Sequence, residues 1–203
     1  MKKFYDAWWK NGAIGVSDDF KWKWPKIRQA LPSKNATILD FGCGDGRYIN
    51  EVLSIRPYKI IGIDISEYAL AKSRKKFPKA RFYHLSGDDK LPVKDKSVDF
   101  VIAGDVIEHI FDVPNFLTEM NRILKKNGTL FISTPYHGMI KNIVLSIIGF
   151  DIVFDPTSPH IRFFTKNSLI RLLKQHKFAI PEYGQYGRFP PVSKGMYVLA
   201  QKK

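Results

Sequence analysis

A single cysteine among 203 residues leaves no partner for an internal disulfide and reads as a chain of a reducing compartment. Long apolar runs are missing as well: none approaches the roughly 20 residues that span a bilayer. The charged start, Lys2 and Lys3 leading into Phe4-Tyr5-Asp6, lacks the apolar stretch of a secretory signal. Internal repeats and low-complexity linkers are absent. Acid is scarce too, with 19 Asp and Glu against 33 Lys and Arg, a net charge of +14. These absences exclude a disulfide scaffold and a membrane-spanning chain, and the expectation is a soluble, cytoplasmic protein. What remains is ordinary globular material, 44% hydrophobic, 14% aromatic and 26% charged, of a length that makes one domain over residues 1–203 the default.

The positive excess sits in the flanks. Residues 36–119 hold 13 acidic and 12 basic residues, and the rest of the chain holds 6 and 21. A near-neutral centre suits a polar or cationic ligand. The basic ends suit an anion such as nucleic acid, an acidic membrane surface or an acidic small molecule. Lysine enrichment for solubility, or for ion pairs at high temperature, accounts for them equally well.

Short continuous apolar runs at residues 37–41, 59–64, 80–85, 98–102 and 129–133 read as buried strands. Amphipathic segments lie between them. One covers residues 47–55. Another starts at Ser66 as N-cap and ends in basic residues 72–76. A third opens at Pro114 and closes at Asn127-Gly128. Strands alternating with helices predict βαβ units and a parallel sheet. The alternation breaks at residues 136–162, a long connection with its own apolar stripe (Ile140, Ile143, Val144, Ile147, Ile148). A helix then begins at Thr165 to Ser168, and runs 178–183 and 196–200 read as a closing pair of strands.

The most informative stretch is Asp40-Phe41-Gly42-Cys43-Gly44-Asp45-Gly46, a glycine turn between a strand and a helix. Such a turn lets backbone approach a ligand and presents unpaired N–H groups to it. The dinucleotide pattern needs a third glycine where this chain has Arg47, so the turn is G-x-G-x-G. Asp64 ends the second strand roughly 20 residues on, where an acid accepts hydrogen bonds from ribose hydroxyls. Gly87-Asp88-Asp89 follows the third strand and suits an adenine amino group. The ligand so described bears an adenosine and no pyrophosphate. S-adenosylmethionine fits, its positive charge matched by acids at strand ends.

Together with Gly62-Ile63-Asp64-Ile65-Ser66, Ser97-Val98-Asp99-Phe100-Val101, Asp105-Val106-Ile107-Glu108-His109-Ile110 and Leu124-Lys125-Lys126-Asn127-Gly128, these residues resemble a known family. They are similar to the class I S-adenosylmethionine-dependent methyltransferases, in the small-molecule branch that includes the ubiquinone and menaquinone biosynthesis enzymes. The resemblance covers residues 37–135 and returns at His160-Ile161-Arg162-Phe163-Phe164-Thr165. It implies an α/β Rossmann-like fold: a seven-stranded, mostly parallel sheet in order 3-2-1-4-5-7-6, strand 7 antiparallel, with helices on both faces. It also implies a donor site in which Asp40 and the backbone of Gly42, Cys43, Gly44 and Gly46 hold the methionine part. Asp64 would take the ribose, and Ile65 with Gly87, Asp88 and Asp89 the adenine. Ala103 and Gly104 would approach the methionine end. The acid–x–acid–x–Leu–Pro spacing of the family is one residue short at Asp88-Asp89-Lys90-Leu91-Pro92, so either Asp88 or Asp89 is the adenine contact.

Methyl transfer from a sulfonium is an in-line displacement that depends chiefly on alignment, and an oxygen nucleophile gains further from a general base. His109, His137 and His160 follow strand four, strand five and the inserted segment, and His109 and His160 are the catalytic candidates. For His109 the alternative is fixing a loop, and for His160 it is anchoring a lid or meeting an acidic substrate. The scatter of these histidines gives no ligand spacing, so no metal is expected. Cys43, inside the glycine turn, reads as packing and not as a nucleophile. All four Trp precede the first strand, so residues 1–34 form an aromatic lid or pack on the sheet. Residues 136–164 form an inserted cap over an apolar acceptor, or a surface that dips into lipid. The expected activity is methyl transfer from S-adenosylmethionine to a small, hydrophobic or acidic acceptor, leaving S-adenosylhomocysteine, with no obligate protein partner. RNA methylation and a non-catalytic binding protein on the same fold are the alternatives.

Overall fold

A computed structural model describes residues 2–12, 19–33, 35–86, 88–153, 155 and 157–203. Two helices, α1 (Lys2–Lys10) and α2 (Phe20–Ala30), precede β1 (Thr37–Phe41). Then come α3 (Arg47–Ile55), β2 (Lys59–Asp64), α4 (Glu67–Lys76), β3 (Arg81–His84) and β4 (Val98–Gly104). A short 3₁₀ turn at Ile107–His109 leads to α5 (Val113–Ile123) and β5 (Leu124–Pro135). After α6 (Met139–Ile148) and α7 (Phe150–Val153), α8 (Lys166–Gln175) and the hairpin β6 (Phe178–Tyr186) and β7 (Gly195–Lys202) close the chain. The seven strands form one sheet in the order β3-β2-β1-β4-β5-β7-β6. β3, β2, β1, β4 and β5 run parallel to their neighbours, and β7 pairs antiparallel with both β5 and β6. The expected topology is therefore present.

Apolar side chains leave both faces of the parallel strands, as continuous runs require. One face packs Phe116, Leu117 and Met120 of α5 and Leu169 and Leu173 of α8 over Leu39, Val101 and Ile132. The other packs Ile27 of α2, Ile49 and Val52 of α3 and Leu70 of α4 over Ile38, Phe100 and Ile102. Phe100, Phe116 and Phe131 are fully buried, and each contributes about 1.5–3 kcal/mol relative to exposure.

The helix starts follow from the sequence. Ser66 Oγ accepts from the Ala69 N–H at 3.3 Å, while α4 ends in Arg74, Lys75 and Lys76. Thr165 and Ser168 form a reciprocal capping box at α8, and Asp112 caps α5 through the Asn115 N–H at 3.0 Å. One boundary differs. The helix expected to close at Asn127-Gly128 ends at Ile123, because Leu124 already pairs with Val98 of β4. Pairing then breaks while Asn127 turns with φ 63°, and resumes where Thr129 meets Phe100. Asn tolerates this left-handed conformation. The asparagine and glycine thus form a bulge inside β5.

Candidate functional site

The chain runs β1, β2, β3 toward one edge of the sheet and then returns to place β4 on the other side of β1. The crevice beyond the carboxyl ends of β1 and β4 is this sheet's switch point, where open α/β sheets bind ligands. Gly42, Gly44 and Gly46 turn there with φ 75°, 52° and 85°. At Gly44 a glycine is obligatory: a Cβ would stand 2.3 Å from the Trp9 ring. The neighbouring Asp64 ties the turn to the second strand, accepting from the Gly44 N–H through Oδ2 and from the Ser66 N–H through Oδ1, both at 2.8 Å. Asp40 is buried, and its Oδ2 has no hydrogen-bond partner. Burial, and then the charge of Asp64, push the Asp40 carboxyl up to about 8; burial also raises Asp64, against the pull of its N–H donors. A buried, unpartnered acid beside a glycine turn is a site that a cationic group would relieve. These residues fit a sulfonium-bearing amino acid nucleoside. Cys43 lies buried in the turn, its thiol pushed up by burial and then by Asp40 and Asp64. It therefore stays protonated.

On the expected adenine side, Ile65 is half-buried, and its carbonyl accepts from His84 Nε2 at 2.9 Å. His84 thereby anchors the loop after β2. Asp88 and Asp89 are exposed and serve turns here. Asp88 Oδ1 accepts from the Asp112 N–H at 2.7 Å, and Asp89 Oδ2 from the Ser86 N–H at 2.8 Å. Gly87 lies outside the described residues.

Ala103 and Gly104, expected just past the fourth strand, are its last two residues; Ala103 is buried, and a Cβ on Gly104 would meet the Tyr48 ring at 3.1 Å. Asp105 follows with φ 54° and gathers side chains from distant parts of the chain. Lys23 of α2 donates to its Oδ2, while Ser133 at 2.8 Å and Tyr186 at 3.4 Å donate to Oδ1. Lys23 is buried, so Asp105 also answers a cation removed from water. Nothing in the spacing of Lys23 and Tyr186 announces this cluster. α2 has two further ties, Lys26 to Glu182 at 3.2 Å and the preceding Asp19 to Lys194 at 2.9 Å. α1, with no buried residue, is held over the glycine turn by Trp9 and by Asp6, whose Oδ1 accepts from Ser66 Oγ at 2.7 Å and from the Tyr68 N–H at 3.2 Å.

The catalytic candidates do meet. His109 and His160 rings lie 4.8 Å apart, with the Tyr5 ring edge-on to His109 at 5.9 Å. His109 Nδ1 is 2.9 Å from the Pro159 carbonyl oxygen. A carbonyl only accepts, so Nδ1 carries the proton, and neutral His109 offers Nε2 as an acceptor. Burial lowers both His109 and His160 below the usual imidazole value, which keeps them neutral near pH 7. His137 is also present at this edge, donating through Nδ1 to Asn142 Oδ1 at 3.2 Å and packing on Phe163. Glu108 is buried with neither carboxylate oxygen hydrogen-bonded, and burial with nearby Asp105 pushes it up to about 8. Glu108, His109 and His160 bring three donor atoms within 4.8 Å of one another. The scatter of these residues along the sequence conceals this convergence.

A methyltransferase domain family matches residues 39–132, the span from β1 to β5. That span holds the glycine turn, Asp64 and the β4 edge on a sheet of the order described above. Residues 39–132 thus carry a methyltransferase domain, and the chain resembles the class I S-adenosylmethionine-dependent methyltransferases. Its methyl donor is accordingly S-adenosylmethionine. The chain is 28% identical to the ubiquinone biosynthesis O-methyltransferase of Pelagibacter ubique over 162 residues, covering 76% of this chain and 67% of that one. It is 30% identical to the protein of the same name from Bradyrhizobium diazoefficiens, covering 71% and 59%. It spans little more than a third of the mycobacterial relatives it also matches. Among solved structures, the complex of the Haloferax volcanii Trm112 methyltransferase activator with a methyltransferase matches with a TM-score of 0.78 at 19% identity. This covers 97% of this chain and 96% of that one, a likeness of fold. In this methyltransferase, no helix among the described residues is long and apolar enough to cross a membrane.

Proposed function

We propose that this methyltransferase methylates an oxygen of a small molecule, hydrophobic or acidic, held at the carboxyl ends of β4 and β5. When bound, S-adenosylmethionine supplies a methyl group on a sulfonium, already activated for displacement. Asp40 and the backbone of Gly42, Cys43, Gly44 and Gly46 hold its methionine end, with Ala103 and Gly104 opposite. Asp64 takes the ribose; Ile65 and the loop of Gly87, Asp88 and Asp89 take the adenine. His109 accepts the acceptor's proton at Nε2, and His160 flanks the acceptor. One observation carries this reading: the Nδ1–H of a neutral His109 is fixed on the Pro159 carbonyl, leaving an oriented base at the donor edge. The similarity to two ubiquinone biosynthesis O-methyltransferases supports an oxygen acceptor. The helices α1 and α2 cover the donor, and α6 with residues 157–164 flanks the acceptor, within one domain.

The test is transfer of a labelled methyl group to a panel of phenols, catechols, carboxylic acids, lipids and RNAs, with and without a chelator. A labelled phenol or catechol, with turnover unchanged by the chelator and lost in His109→Gln, is the expected result. Labelled RNA alone would transfer the role to the basic flanks. Loss of turnover on chelation would reassign Glu108, His109 and His160 to a cation, and donor binding without transfer to any class would leave a binding protein.

A further inference from the structure

Among the described residues, a cluster of exposed apolar side chains borders the proposed acceptor edge. α6 is built the reverse way from a packed amphipathic helix. Its long polar side chains near the start reach inward: Lys141 Nζ donates to the carbonyls of Tyr136 at 2.7 Å and Lys194 at 3.1 Å, and Asn142 takes the His137 N–H. Its apolar side chains face out, with Met139, Ile143, Ile147 and Ile148 exposed by 76%, 53%, 78% and 76%. None of its ten residues is buried. Phe163, packed on His137 and 46% exposed, extends the surface. An apolar face of this kind marks an interaction site.

Charge and length select the occupant. Burial, and then the nearby charges of Arg188 and Lys194, push the Lys141 ammonium down to about 8, and the Lys194 carbonyl lies 3.1 Å from Lys141 Nζ. Asp19 answers Lys194 at 2.9 Å, and Asp151 and Asp155 follow α6 in the chain. The crowded cations at the foot of α6, in a chain of net charge +14, favour an anionic partner. Ten residues rise about 15 Å, half of the roughly 30 Å hydrocarbon layer. The helix therefore fits lying in an interface, not across it. Both ends of the 136–164 connection are also fastened at the catalytic edge. Tyr136 bridges Phe164, and the Ile161 and Arg162 N–H groups donate to the Glu108 carbonyl at 3.0 and 3.1 Å.

We propose that the outer face of α6 docks into the surface of an anionic lipid bilayer, so that the methyltransferase takes an acceptor dissolved in that bilayer. The docking stands on the helix alone. The acceptor's source rests on the function proposed above.

Co-sedimentation with vesicles of phosphatidylcholine containing about 30% phosphatidylglycerol, and with phosphatidylcholine alone, tests it. The protein should pellet with the anionic vesicles and about tenfold less with the neutral ones. I143D/I147D and R188E should each reduce binding about tenfold. These positions are exposed, so melting temperature and donor affinity should stay unchanged, which separates lost docking from lost folding. Equal pelleting by wild type and variants, or no pelleting at all, would overturn the proposal. So would a dimer that I143D/I147D converts to monomer without vesicles, which assigns the face to a second copy. Vesicle binding that persists in a protein unable to bind donor or transfer methyl would sink the function proposed above and leave docking intact.

Discussion

The proposed donor side of the crevice, around β1 and β2, and the proposed acceptor side, around β4 and β5, are built on opposite principles. The donor side is made mostly of backbone, glycine and two buried acids within residues 40–66, with Asp64 joining Gly44 to Ser66, and only the adenine loop at residues 87–89 and the end of β4 are added from further along the chain. The acceptor side is made of side chains brought from far apart: Lys23, Asp105, Ser133 and Tyr186 in one cluster, and Glu108, His109 and His160 in another. A site that recognises one fixed nucleoside can be encoded once in a contiguous turn. A site shaped to an acceptor is drawn from loops and flanking helices that can vary without touching the sheet.

If this division holds, the largest effect falls on the acceptor side. His109→Gln should lower turnover by about 10²–10⁴-fold while calorimetry finds donor affinity unchanged. A parallel loss of donor binding would erase the distinction. Asp64→Ala should do the converse, weakening donor binding by about 1.5–3 kcal/mol, roughly ten- to a hundredfold. Asp40 gives the donor side a pH signature. Its carboxyl is raised to about 8 in the donor-free protein, and a bound cation favours its ionised form. Binding should therefore release a proton below pH 8, and affinity should rise with pH through that range by at most about tenfold per unit. Calorimetry in buffers of different ionisation enthalpy reads that proton, and Asp40→Asn should flatten the profile. The smallest effect is expected from Lys23→Met, which cuts the tie between α2 and a partly exposed Asp105. Urea denaturation should register a loss of about 1 kcal/mol, with donor affinity unaltered.

The same division governs what could be read from the amino acids. The parallel strands, the capped starts of α4 and α8 and the glycine turn were legible because each rests on local chemistry: apolar runs, Ser66, Thr165 with Ser168, and closely spaced glycines; the order of the strands in the sheet came only with the family resemblance. The end of α5 was not, because Leu124 is claimed by Val98 of another strand. His109 and His160 could be singled out by residue type, but their meeting depends on the 136–164 connection folding back onto the Glu108 carbonyl. Lys23 carried no signal, since a lysine among lysines looks solvated until Asp105 turns toward it.

The cluster on Asp105 bears on what counts as the working unit. The recognisable family span ends at residue 132 and begins at residue 39. A gene trimmed to those limits would retain Asp105 and discard Lys23, Ser133 and Tyr186, the side chains among the described residues that bond its carboxylate. The smallest portable catalyst cut from this chain must therefore be fixed by the reach of one aspartate, and not by the stretch of sequence that relatives share.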